Sequence, residues 1–263
     1  MYGFDYHRPT SLHDAARLLA ERDEAKLLAG GQTLIPTLKQ RLAQPSDLID
    51  LGALVELKGI QEQEDGLTVG ALTTHHQVHV SPVVRQAIPA LAELAGLIGD
   101  PQVRNRGTLG GSVANNDPAA DYPAAILALG ATIHTDRRAI AGEDFFTGLF
   151  ETALEPGEIV TAVHFPRADR AKYVKFRNPA SRYAIVGVFV ARSGGGTRVA
   201  VTGAASCVYR WTQAEQALAA GLSADALDGL TVDPADMNAD LHASAEYRAH
   251  LVKVMAKRAI AAI

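Results

Sequence analysis

Residues 103–121, V-R-N-R-G-T-L-G-G-S-V-A-N-N-D-P-A-A-D, constrain the chain most. Gly107, Gly110 and Gly111 fall within five positions, Thr108 and Ser112 sit among them, and an apolar run comes next over 122–129. Glycine reaches backbone conformations closed to other residues and lets a second molecule approach the main chain. A turn of this composition aims backbone N–H groups at an anion, and the Thr and Ser hydroxyls add donors. Residues 27–36, L-L-A-G-G-Q-T-L-I-P, make the same offer. Two glycine pairs with hydroxyl neighbours predict a two-walled cradle for a pyrophosphate.

Several partner classes are disfavoured. The net charge is -4, and no basic run or basic–aromatic interleaving suits a nucleic acid. The single cysteine, Cys207, excludes an intramolecular disulfide and an iron–sulfur cluster held by four cysteines of this chain. It fits a reducing, cytoplasmic setting. The first residues show no signal-peptide pattern, and the apolar stretch 122–131 is too short to span a bilayer. His75, His76 and His79 form H-H-x-x-H, but no carboxylate or cysteine joins them nearby, so a turn-to-helix surface is expected rather than a metal site. Cys207 reads as a small apolar filler.

The hydrophobic pattern places the turns. Ser11 opens a helix as a capping box with Asp14. A short strand over 26–29 runs into Gly30 and Gly31, a helix covers 34–42, and another strand covers 48–51. Residues 59–66 read as a polar connection, 67–72 as strand and 82–98 as one helix. Strands are expected near 131–135 and 159–165, with a turn at Glu155-Pro156-Gly157 between them. From about residue 172 the texture changes to strands over 173–176, 184–192 and 198–204, with a hairpin at Gly194-Gly195-Gly196, then helices over 213–220 and 243–262. The acidic segment 225–240 reads as a surface loop. The fold class expected is α+β.

The matching residues are Ala29, Gly30, Gly31, Gln32, Thr33, Leu34, Ile35 and Pro36, then Arg104 through Ser112 (R-N-R-G-T-L-G-G-S), then Asp117-Pro118-Ala119-Ala120-Asp121. The openings R-P-T-S-L (8–12) and P-G-E-I (156–159) match as well. On these motifs the chain resembles, over nearly its whole length, the FAD-binding medium subunit of the molybdenum hydroxylases, the group of xanthine dehydrogenase and aerobic carbon monoxide dehydrogenase. Two glycine motifs in order, about 75 residues apart, are far more specific than either alone.

The resemblance implies a two-part FAD-binding domain of the vanillyl-alcohol oxidase (PCMH) type over 1–171, with subdomains of about 1–57 and 58–171. A smaller α+β C-terminal domain of the carbon monoxide dehydrogenase flavoprotein type would cover 172–263. It implies FAD on this chain, with the pyrophosphate embraced by Ala29 through Pro36 and by Thr108, Gly110, Gly111 and Ser112. Asp121 would make a polar contact, and Ile98, Val160 and Lys175 correspond to further cofactor contacts. The [2Fe-2S] clusters and the molybdenum cofactor are implied on separate small and large partner subunits, in a dimer of heterotrimers. Electrons would pass from molybdenum through the clusters to FAD and on to NAD+, a quinone or oxygen. Gln32-Thr33 stands where carbon monoxide dehydrogenases tend to have His-Ser, which weighs against carbon monoxide as the substrate.

No catalytic acid, base or nucleophile and no metal ligand stands out, which fits a subunit whose chemistry belongs to its cofactor. Two other readings remain open on the sequence. A self-sufficient flavin oxidase would need its own substrate pocket and a larger cap domain. A non-catalytic nucleotide-binding module would hold no flavin. Individual residues also have plainer readings: Asp121 as a helix cap, Arg104 and Arg106 as surface ion-pair partners rather than phosphate ligands, Lys175 on a solvated strand face and Tyr183 in a core.

Overall fold

A computed structural model describes residues 1–194 and 196–263. Strands Asp5–His7, Asp47–Asp50 and Lys26–Leu28 form a parallel sheet with Asp47–Asp50 in the middle. Parallel neighbours require crossovers, and helices Leu12–Ala20 and Leu34–Lys39 lie in the two connections. The Ser11 hydroxyl accepts from the Asp14 N–H at 3.1 Å, so the N-cap half of the expected capping box forms, while the Asp14 carboxylate accepts from the Ser11 hydroxyl at 2.7 Å rather than from the Ser11 backbone N–H. The Gly30–Gly31 turn leaves the carboxyl end of Lys26–Leu28, the edge at which open parallel sheets bind ligands.

The middle of the chain builds an antiparallel sheet in the order Ile60–Glu62, Gly66–Gly70, Val160–Pro166, Thr132–Thr135, Ala139–Ala141. The first of these strands lies where a plain connection is expected. The single helix expected over 82–98 is two, Pro82–Ala87 and Pro89–Gly96. Pro89 disfavours helical backbone at the residue before it, and Ile88 takes φ -142 and ψ 74. Helices Pro101–Arg106 and Leu109–Asn115 carry the second glycine motif, and helix Tyr122–Leu129 carries the apolar run after it.

Strands Arg170–Arg177, Ala184–Ser193, Gly196–Thr202 and Tyr209–Arg210 pair antiparallel in that order. The hairpin expected at 194–196 includes Gly195, which lies outside the described residues. The first eight residues of Ala184–Ser193 are all buried. Val186, Val188 and Val190 pack in one core with Leu251, Val252 and Met255 of the Ala245–Ala261 helix. Phe189 and Ala191 instead join a second core with the Tyr122–Leu129 helix. A strand covered on both faces needs apolar residues at successive positions, which explains its unbroken A-I-V-G-V-F-V-A run.

All eight residues of Tyr122–Leu129 are buried. This helix therefore joins the middle sheet to the C-terminal one, with no polar face left for solvent. The acidic segment 225–240 is not wholly irregular, for it holds 3-10 turns at Ala224–Leu227 and Pro234–Asp236. No helix among the described residues is long and apolar enough to cross a membrane.

Arg248 ties the last helix to the sheet. Its Nη1 donates to the carbonyls of Ile185 at 2.7 Å and Gly203 at 2.9 Å, and Nη2 donates to Asp240 at 2.7 Å. Arg248→Ala strands both buried carbonyls, at about 1–3 kcal/mol each. The unfolding free energy should fall by about 2–6 kcal/mol, read as a lower denaturant midpoint. An unchanged midpoint would contradict the clamp.

Candidate functional site

A cleft of about 960 Å³ runs between the parallel-sheet unit, the middle helices and the loop 181–183. The two glycine turns meet inside it. A Cβ on Gly30 would lie 2.1 Å from the Arg106 carbonyl oxygen and 2.8 Å from the Gly107 Cα, so only glycine allows the contact. A Cβ on Gly110 would lie 2.5 Å from that of Ala71, which lets the Leu109–Asn115 helix start against the end of the Gly66–Gly70 strand. Gly31 has φ +74, a left-handed conformation that favours glycine. Gly111 differs: it is helical, and a Cβ there would meet only Thr108 Oγ1 at 2.9 Å and the Ala29 Cβ at 3.8 Å. Its open side faces the gap between the turns.

The turns divide the hydrogen-bonding work unequally. The N–H groups of residues 30–34 have no acceptor among the described residues. Five consecutive donors ahead of the Leu34–Lys39 helix form an anion-binding concavity. At the second turn the expectation of free N–H groups is corrected. Leu109 donates to Thr73 O at 3.0 Å, Gly110 to Ala71 O at 2.8 Å, Gly111 to Thr108 Oγ1 at 3.2 Å and Ser112 to Thr108 O at 3.1 Å. The N-cap threonine and the chain at 71–73 consume what the helix start would offer. This wall presents glycine surface and the Ser112 hydroxyl instead.

Of the residues singled out in the sequence, Ala29, Gly30, Gly31, Gln32, Thr33, Leu34, Ile98, Thr108, Gly110, Gly111, Ser112, Asp121 and Val160 line the cleft. Ile35, Pro36 and Lys175 stand behind the wall. The Ile35 side chain fills the space where a Cβ on Gly31 would point, 2.7 Å from its Cδ1. Lys175 has a side chain only 2% exposed, so it is no solvated face. Its Nζ donates to Asp121 Oδ2 at 2.9 Å and to the Leu97 carbonyl at 3.2 Å. The other Asp121 oxygen accepts from the Tyr173 hydroxyl at 2.5 Å. Asp121 makes no side-chain cap to the helix it precedes. Burial raises its pKa, while the Lys175 ammonium and the Tyr173 hydroxyl pull it back down.

Arg104 does not reach for an anion. Its Nη1 donates to the carbonyls of Ile98 and Gly99, both at 3.0 Å. Lys175 and Arg104 thus hold the turn 97–99 that follows the Pro89–Gly96 helix and carries Ile98. Sequence reasoning missed Leu19, Arg22, Lys26 and Leu27, which also line the wall: Leu19 reads only as part of a helix face, Lys26 and Leu27 as a short strand, and Arg22 carries no signal of its own. Tyr183 is 47% exposed and lines the cleft beside Arg182, not a core. His75 is 5% exposed, against the surface position expected for it. No group of three or more His, Cys, Asp or Glu could hold a metal among the described residues.

The turn at Pro156 and Gly157 closes part of the cleft. Buried Glu158 holds it by accepting from the Glu155 N–H at 2.7 Å, the Thr135 hydroxyl at 2.7 Å, and Arg138 Nε and Nη2, both at 2.9 Å. These donors, Arg138 foremost, hold the Glu158 carboxyl down at about 2, against 4.5 ordinarily. A depressed carboxyl stabilises the fold fully above pH 4.5, and that contribution drains away as pH falls towards about 2. Glu158→Gln should lower Tm at neutral pH and flatten its decline between pH 4.5 and 2. Thermal melts across that range check this, and parallel acid limbs for parent and variant would contradict it.

Comparison with known proteins accounts for the cleft. Residues 2–168 match the family described as the FAD binding domain in molybdopterin dehydrogenase. The carbon monoxide dehydrogenase medium chain of Hydrogenophaga pseudoflava is 36% identical, over 98% of this chain and 96% of its own. The nicotine 6-hydroxylase medium subunit of Paenarthrobacter nicotinovorans is 36% identical, over 97% of this chain and 95% of its own. The solved structure of reconstituted CO dehydrogenase from Oligotropha carboxidovorans superposes with a TM-score of 0.91 at 35% identity, covering 99% of this chain and 97% of that one. The chain belongs to the FAD-binding medium subunits of the molybdenum hydroxylases, the flavoprotein components of multi-subunit oxidoreductases.

Proposed function

We propose that the cleft holds FAD with its pyrophosphate between residues 29–34 and the turn at Thr108, Gly110, Gly111 and Ser112. The observation that carries this is the row of five unpaired N–H groups at 30–34 facing a wall opened by Gly111. Ile35 and Pro36 act from behind by shaping the first turn. The part lined by Ile98 and Tyr183, whose neighbours Gly99 and Arg182 are joined by a 3.5 Å hydrogen bond, suits a flat aromatic ring. Lys175 acts through Asp121 and the Leu97 carbonyl rather than by direct contact. Residues 29–34 and the turn at Thr108 to Ser112 would hold FAD, which would supply one-electron uptake from iron–sulfur clusters and two-electron delivery to an acceptor. The protein's part is to bind and orient the cofactor and to keep the walls of the cleft rigid.

The clusters and the molybdenum cofactor belong in this reading to a small and a large partner subunit, in a dimer of heterotrimers. The description of the relatives as the medium chain of a dehydrogenase and the medium subunit of a hydroxylase supports separate partner subunits. The lone cysteine supports a cytoplasmic setting. The fold reads as a PCMH-type FAD-binding domain over 1–171, in parts of about 1–57 and 58–171, succeeded by the C-terminal α+β domain over 172–263. The family match ending at residue 168 supports that boundary.

Gly111→Val tests the cradle. The new side chain enters the gap between Thr108 and Ala29 without meeting backbone, so the fold should persist. A side chain in that gap pushes the pyrophosphate off the opposite wall; loss of two N–H bonds from residues 30–34 to a charged phosphate, each worth about 1.5–3 kcal/mol, weakens FAD by about 10²–10⁴-fold. Fluorescence titration alongside circular dichroism should find a folded, colourless protein. A variant that stays yellow at parental affinity would place the pyrophosphate elsewhere.

A further inference from the structure

His75 begins the His75–Val80 helix, and its backbone N–H donates to the Gly107 carbonyl at 3.0 Å. That bond draws the imidazole under the second glycine turn. Its Nε2 lies 2.7 Å from where a Cβ on Gly107 would stand, so the ring edge rests on glycine backbone at the cleft wall. The other face meets Tyr122, with ring centroids 5.5 Å apart. Nδ1 of His75 and the hydroxyl of Tyr122 are both buried without a hydrogen-bond partner among the described residues. Two adjacent unpaired polar groups in a wall this well packed are unusual.

The protonation state is set by the surroundings. Burial, with the Arg104 guanidinium nearby, pushes the His75 pKa down to about 4. The ring is neutral near pH 7 and carries one N–H. A buried N–H without an acceptor is rarer than a buried acceptor without a donor, so Nδ1 is bare and the proton sits on Nε2. Nε2–H has no acceptor among the described residues, yet it stands at Gly107, where the two turns touch.

We propose that His75 is an additional cofactor-binding residue whose Nε2–H donates to an oxygen on the phosphate-bearing part of FAD. This rests on the reading of the cleft as the FAD site. A neutral donor adds recognition there without the permanent charge of Lys or Arg, and its seat beside Gly107 lets it act where main-chain donors of the second turn are already spent.

The test uses the full chain purified with its partner subunits, stripped of flavin and titrated with FAD. His75→Leu removes the donor and should weaken FAD about tenfold to a hundredfold. His75→Gln keeps an amide N–H near the Nε2 position and should stay within about threefold of the parent. Melting temperatures of the two variants should agree. Parental affinity in His75→Leu would overturn the proposal, as would equal losses in Leu and Gln, which would mark a packing role. A parent that does not take up FAD would instead bring down the reading of the cleft itself, and the inference with it.

Discussion

Asp121 is a buried carboxylate whose two oxygens are held by Tyr173 and Lys175, and the arrangement of the cleft depends on it. It precedes the wholly buried Tyr122–Leu129 helix, while both partners project from the Arg170–Arg177 strand. The contact sets the register of the C-terminal sheet against the middle of the molecule. Lys175 extends the link to the Leu97 carbonyl and so to the turn that carries Ile98. Removing one member of a buried pair costs about 3–5 kcal/mol, because the other is left charged and unpaired, whereas the intact pair adds little net stability. The network therefore acts here as a positional lock. It lets side chains from three parts of the chain face one cofactor cleft.

The two glycine motifs look alike in sequence but do different physical work. The first is a strand-to-helix turn whose N–H groups stay unpaired and can solvate an anion. The second starts the Leu109–Asn115 helix, whose first donors are satisfied by Thr108 and by the chain at 71–73. Its glycines serve contact instead: Gly107 receives Gly30 and His75, Gly110 receives Ala71, and Gly111 keeps the gap open. Electrostatic capture belongs to one wall and shape to the other.

The first glycine turn, the Ser11 cap and the apolar A-I-V-G-V-F-V-A strand were legible because each carries a local rule that tertiary structure does not override, whereas the N–H groups of the second glycine motif are claimed by Thr108 and the distant chain at 71–73. Lys175 was not legible. In K-Y-V-K-F-R it alternates as a solvated residue would, and only the approach of Asp121, 54 positions earlier, explains its burial. His75 reads as one of three surface histidines until the pairing of its N–H with Gly107, again a long-range contact, places it in the wall. Arg104 beside a glycine turn suggests phosphate binding, but the nearer carbonyls of Ile98 and Gly99 claim it. Short elements such as Asp5–His7 and the Phe146–Gly148 and Glu151–Thr152 pair leave too few residues for a period to show.

The most direct test of the cleft assignment is an experimental structure of the flavin-loaded protein in its complex. Pyrophosphate density is expected on the N–H groups of residues 30–34, opposite Gly111 and Ser112, with the ring directed towards Ile98 and Tyr183. A pyrophosphate bound anywhere else, or held by the second turn's main chain with the first turn empty, would contradict it.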